Sequence, residues 1–218
     1  MEIGATKAVQ DRLKTTKIAE SKGVSLVFCW DTHVTKIKGR NVLFIVNASN
    51  RYTIAMTDIE PRNWNYYAMY ISRVIHGVMQ EMGYSEEQIA QYFKMSGDMI
   101  VTKTHGKKSV GGINRMVTDA QYFDKKLEKD TKYQWELSEY LNRDICQPEG
   151  FDTYGYPSEL FKLDMERLGI ATKRKPAKVI DFTRYIDTNR SLTISAKELL
   201  KQLFGHKKLV CNDEKQDV

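Results

Sequence analysis

The stretch CWDTHVTKIKGRNVLFIVNASNRYTIAMT, Cys29 to Thr57, decides the fold. Val34, Thr35, Lys36 and Ile37 alternate in the manner of a half-exposed strand. Gly39 to Asn41 supply a turn into VLFIV, Val42 to Val46, which is apolar throughout and suits a strand buried on both faces. Asn47 to Asn50 give the next turn, and RYTIAMT, Arg51 to Thr57, reads as a further strand. With VSLVFCW, Val24 to Trp30, as an earlier strand, the expectation is a four-stranded antiparallel meander.

The flanks read as helix. Ala8, Val9 and Leu13 in TKAVQDRLK have helical spacing. Beyond Pro61, Trp64, Tyr67, Ala68, Ile71, Val74, Ile75, Val78 and Met82 recur at intervals of three and four, the stripe of an amphipathic helix ending near Gly83. Ser85 with Gln88 forms a capping box for a helix through about Lys94. DMIVTK, Asp98 to Lys103, is another strand, and helical spacing resumes from Gly112 with Ile113, Met116, Val117, Ala120 and Phe123. YQWELSEYLNRD and PSELFKLDMERLG read as two shorter helices, Lys173 to Pro176 as a linker or exposed turn, and SAKELLKQLF as a last amphipathic helix capped by Ser195 and Glu198. The fold class expected is α+β, a mainly antiparallel sheet covered by helices. Residues 1–128 form that domain in this reading, and 129–218 a smaller helical, basic C-terminal extension.

The chain has 218 residues, enough for a sizeable core, and its 41% hydrophobic and 28% charged residues fit a globular protein. No apolar run is long enough to span a membrane, and no basic segment leads into an apolar one after Met1, so a cytoplasmic location is expected, with no membrane partner. Three widely spaced cysteines, Cys29, Cys146 and Cys211, argue against disulfides and a cysteine zinc cage, and read as free thiols. Of the net charge of +6, residues 1–170 contribute 23 Lys+Arg against 22 Asp+Glu and residues 171–218 contribute 11 against 6. A basic tail favours a polyanion, nucleic acid first among those in a cell, although a solubilising surface has the same composition.

One segment carries chemistry in unusual density: MIVTKTHGKKSVGGINRM, Met99 to Met116. Read as a strand, a glycine-containing basic loop and a helix start, it could aim backbone N–H groups at a phosphate, with Lys103, His105, Lys107, Lys108 and Ser109 around it. It has neither P-loop nor dinucleotide-loop spacing, and a basic surface turn is the plainer reading. Of the four histidines, His33 at a strand turn and His105 in this loop are the candidates for proton transfer; His76 and His206 read as packing or surface residues. A histidine with a lysine can cleave RNA without metal. Asp31 beside His33, and Asp58 with Glu60, are the only carboxylate spacings that suggest a metal, and neither is a ligand signature, so no metal site and no cofactor are assigned, a divalent metal being left open.

IGATKAVQDRLK, the stretch from Cys29 to Met56, and DMIVTKTHGKKSVGGINRM together resemble a bacterial domain-of-unknown-function family over residues 1–128. Its members open with a T-K-K helix, carry a Trp and a His before a V-L-F-x-N strand, and end in a motif close to K-T-x-x-R-S-V-L-G-S-M-N. Lys103, Thr104, Gly111 and Asn114 stand at that motif's positions, whereas Lys107 replaces its arginine, Val110 its leucine and Ile113 its methionine. The chain's size and basic tail are also similar to anti-CRISPR proteins of mobile elements and phages that inhibit type II-A Cas9, some by truncating the guide RNA. That resemblance implies Cas9 and its guide RNA as partners inside a bacterial host cell, and a ribonuclease with His33, His105 and Lys103 as catalytic residues. Lys107, Lys108, Ser109, Asn114, Lys173, Arg174 and Lys175 would bind nucleic acid, and Tyr154 and Tyr156 could stack on bases. The alternative is a non-enzymatic nucleic-acid- or protein-binding inhibitor or accessory protein.

Overall fold

A computed structural model describes residues 1–13 and 17–171. Five strands, β1 (Glu2–Ala5), β2 (Cys29–Ile37), β3 (Arg40–Asn47), β4 (Thr53–Thr57) and β5 (Ile100–Lys103), form one sheet in the order β4-β3-β2-β1-β5. The three longer strands pair antiparallel, whereas β1 runs parallel to both β2 and β5. The helices are α1 (Lys7–Gln10), α2 (Pro61–Asn65), α3 (Tyr67–Glu81), α4 (Glu86–Ser96), α5 (Gly106–Gln121), α6 (Trp135–Asn142) and α7 (Pro157–Arg167). The fold is α+β.

The expected meander is present with three strands. β2 continues through Trp30, Asp31 and Thr32, while Leu26–Phe28 upstream is a 3-10 turn. The β2–β3 hairpin turns on Lys38 and Gly39, both at positive φ, which fixes Ile37 opposite Arg40 and every pair beyond. The N-terminus differs more: the expected helix is reduced to the single turn α1, and Glu2–Ala5 is a strand at the sheet's interior. Four residues containing a glutamate and a glycine carry no strand signal of their own. Tertiary pairing on both sides makes them one.

Alternation along β2 and β3 sends side chains into two separate cores. On one face Ile3, Trp30, Leu43, Ile45 and Ile54 pack with Ile71 and Ile75 of α3, Ile89 and Tyr92 of α4, and Phe161 of α7. On the other, Val42, Phe44, Val46 and Ala55 pack with Ile113, Met116 and Ala120 of α5 and Leu137 and Leu141 of α6. The Ser85–Gln88 capping box forms as expected and opens α4.

The described residues form one compact unit, and 172–218 lie outside them. The α+β domain therefore extends well past residue 128. Segment 132–142 covers the outer edge of β4: Thr57 N–H donates to the Lys132 carbonyl at 2.7 Å, Gln134 N–H to Ala55 at 2.9 Å, and Ala55 N–H to Ser138 Oγ at 3.0 Å. Asn142 completes the cover, accepting from Thr53 N–H at 2.8 Å and donating to its carbonyl at 2.7 Å. An uncovered edge is a template for aggregation, so this segment is integral to the fold. The apolar stripes of α6 and α7 are visible in the sequence, but which sheet they cover is a long-range fact. Asn142→Ala leaves two buried backbone groups of Thr53 unpaired, and urea denaturation should show a loss of about 2–4 kcal/mol; a chain ended at residue 128 should fail to fold by circular dichroism.

Candidate functional site

In the parallel pairing of β1 with β2, Glu2 stands opposite Cys29 and Gly4 opposite Asp31. Alternation places Glu2, Gly4, Cys29, Asp31 and His33 on one face, beneath the start of α5. That helix begins at Gly106, so the basic segment expected to be a loop is its first turn. Gly111 and Gly112 sit inside the helix without breaking it. Gly112 admits Arg51, whose Nη2 donates to the Gly112 carbonyl at 3.1 Å.

Asp31 is fully buried, and a carboxylate there must be paired. Its two oxygens accept from the His105 backbone N–H at 3.2 Å each, Oδ1 accepts from His105 Nδ1 at 2.6 Å, and Oδ2 accepts from Ser109 Oγ. A strand carboxylate thus caps α5, where the helix dipole favours negative charge. The other ring nitrogen of His105, Nε2, donates to Glu2 Oε2 at 2.9 Å. Glu2 Oε1 in turn accepts from Lys22 N–H at 2.6 Å. The imidazole, 7% exposed, is clamped between two buried carboxylates.

Burial works against the charged imidazole, but hydrogen bonds to Asp31 and Cys29 and the negative charge of Asp31 overcome it and push the His105 pKa up to about 11. Burial likewise opposes ionisation of Glu2, yet hydrogen bonds from Ser21, His105 and Lys22 hold its carboxyl below the usual value. His33 differs. Burial alone lowers its pKa, and Nδ1 lies 3.1 Å from Thr6 Oγ1.

The expected catalytic trio is only partly brought together. His33 and His105 lie on one face of the sheet, His105 fully engaged with carboxylates. Lys103 is exposed, and its register partner Ala5 belongs to the opposite core, so it leaves β5 on the other face. Lys107 and Lys108 are exposed on the first turn of α5, Ser109 is spent on Asp31, and Asn114 is exposed. Lys173, Arg174 and Lys175 lie outside the described residues. Tyr154 is 70% and Tyr156 43% exposed. Asp58 and Glu60 are occupied in surface ion pairs with Arg40, Arg62 and Lys132, away from Asp31. Cys29 and Cys146 are free and buried.

Sequence reasoning missed Glu2, Gly4 and Arg51. One signal was available: Asp31 lies between Trp30 and Val34 in a strand bound for the interior, and a buried carboxylate demands a cation. Which cation answers it depends on Gly4 and His105, 27 and 74 positions away, beyond any local pattern.

These features define an α+β domain whose buried ionic cluster joins the N-terminal strand, the central hairpin and the helix of the basic segment. Residues 2–160 match the family model described as a domain of unknown function, DUF6933, and the chain belongs to that family. No curated protein and no solved structure matches it. No helix among the described residues is long and apolar enough to cross a membrane.

A Cβ at Gly4 would fall 1.8 Å from Asp31 Oδ1 and 3.0 Å from His105 Nδ1. The pinned carboxylate cannot yield without breaking the cluster, so Gly4→Ala should lose roughly 3–5 kcal/mol in denaturant unfolding, as when a buried pair is broken. His105 has a raised folded pKa, so its contribution is complete below its unfolded value of 6.5 and is lost as pH rises through about 11. Urea unfolding between about pH 7 and about pH 9 should show stability falling with pH, by at most about 1.4 kcal/mol per unit.

Proposed function

We propose that this protein is an RNA-binding inhibitor that engages the guide RNA held by type II-A Cas9 and leaves that RNA intact. The observation that carries this reading is the cationic start of α5. Lys107, Lys108 and Arg51 form no ion pair among the described residues, and Lys108 donates only to the Pro148 carbonyl at 3.3 Å. Lys108, Ser109 and Arg115 from α5, with Arg51 and Pro148, line a cleft of about 220 Å³ in which Glu149 is the single acidic residue. Cations not neutralised by a carboxylate are free to displace counterions from phosphates, the main source of affinity for nucleic acid.

The larger concavity, about 520 Å³ between α5 and α6, is lined by Asp119, Asp124, Glu136, Glu139 and Asp144 and suits a polyanion poorly. Tyr154 is exposed in the loop where Gly155 pairs with Cys146, close in sequence to Pro148 of the basic cleft, and offers a stacking surface for an unpaired base. The excess charge of residues 171–218, including Lys173, Arg174 and Lys175, adds to the same attraction. Cas9 and its guide RNA as the particular partner come from the resemblance to anti-CRISPR proteins, and a bacterial cytoplasm follows from that partner.

Binding without cleavage is favoured over guide-RNA truncation for a geometric reason. His105 is buried with both ring nitrogens bonded to carboxylates, and Lys103 projects from the opposite face, which leaves His33 as the one of the three expected catalytic residues placed to transfer a proton. Metal-free cleavage needs both a base and an acid.

End-labelled guide RNA, incubated with the protein with and without Cas9, in magnesium and in EDTA, should run at full length on denaturing gels. Filter binding should show affinity falling with salt, and Lys107→Glu with Lys108→Glu should weaken it and reduce the salt slope by roughly 0.7–0.9 for each phosphate no longer neutralised. Shortened RNA, or unchanged affinity in the double variant, contradicts the proposal.

A further inference from the structure

We propose that Glu2, Cys29 and His105 form a binding site for a divalent transition-metal ion of the zinc class. A carboxylate oxygen of Glu2, the Cys29 sulfur and a ring nitrogen of His105 lie within 4.8 Å of one another, and all three residues are buried or nearly so. Their convergence follows from the fold. Glu2 and Cys29 are register partners on adjacent parallel strands, so both point to the same face, and His105 descends on them from the start of α5.

The donor set selects the metal. One sulfur, one imidazole nitrogen and one carboxylate suit zinc or cobalt, whereas magnesium and calcium take oxygen ligands. Bond lengths of about 2.0–2.3 Å to such an ion put tetrahedral donors roughly 3.2–3.6 Å apart. His105 Nε2 and Glu2 Oε2, now 2.9 Å apart, need to open only slightly, and the Cys29 sulfur already lies within 4.8 Å of the other donors. The thiol's contacts to the Ser25 and Val24 carbonyls are long, at 3.6 and 3.8 Å.

The independent pointer to a metal lies behind the histidine. A ligating imidazole typically donates its far N–H to a carboxylate, which fixes its tautomer and orientation. His105 Nδ1 makes that bond to Asp31 at 2.6 Å, and Asp31 is itself held by the His105 backbone N–H and Ser109. A metal takes an unprotonated imidazole nitrogen and a thiolate, so binding here is coupled to proton release.

Because the site is buried, the full-length protein should be unfolded and refolded with cobalt as the probe. We expect one cobalt per chain and a sulfur-to-cobalt charge-transfer absorption. The absorption should vanish in Cys29→Ser and persist in a Cys146→Ser, Cys211→Ser double variant, circular dichroism confirming that each is folded. If Cys29→Ser does not fold, Glu2→Gln serves in its place and should weaken cobalt binding at least tenfold. Refolded wild type that takes up no cobalt, absorption that survives in folded Cys29→Ser, or undiminished affinity in Glu2→Gln overturns the assignment.

Discussion

A carboxylate in the interior of a sheet has to be neutralised where it stands, and Asp31 imposes that requirement on everything around it. It accounts for a glycine at position 4, since any side chain there would occupy the space of the carboxylate. It accounts for the start of α5 directly above β2, because the His105 backbone N–H and the Ser109 hydroxyl both reach Asp31. The same interaction orients His105 toward Glu2, and so ties the N-terminal strand, the hairpin and the helix into one cluster. A buried ion pair adds little to stability compared with an apolar substitute, but breaking one is costly. Its effect here is to fix the register and placement of three elements.

How much of this is legible in the sequence depends on the range of the forces concerned. The hairpin, the α3 stripe and the Ser85–Gln88 capping box are local patterns, and each forms, although the hairpin turns one residue early, on Lys38 and Gly39, and the expected helix is divided at Tyr66 into α2 and α3. Glu2–Ala5 carries no strand pattern and becomes one only through its two neighbours. The helix through Gly106–Gly112 defeats the rule that glycines break helices, because the tertiary cap from Asp31 and close packing against Arg51 compensate. His105 stood out in the sequence as a reactive group; its partners, distant along the chain, make it instead a bridging one.

The buried cluster and the exposed cations share one helix. Residues 105 and 109 face inward to Asp31, while Lys107 and Lys108 between them face solvent, so the clamp sets where the basic surface points. This division separates the roles that the sequence alone assigns to a single loop. A proton or a metal ion at Nε2 would hold the same framework, and neither requires the exposed face to change.

The central claim is that His105 is held as an imidazolium between Asp31 and Glu2, and proton NMR of the metal-free protein tests it most directly. The His105 ring protons should keep imidazolium shifts from pH 6.5 to beyond pH 9, given a pKa pushed up to about 11. A titration midpoint near the ordinary value of 6.5 would mean that the clamp does not exist as described.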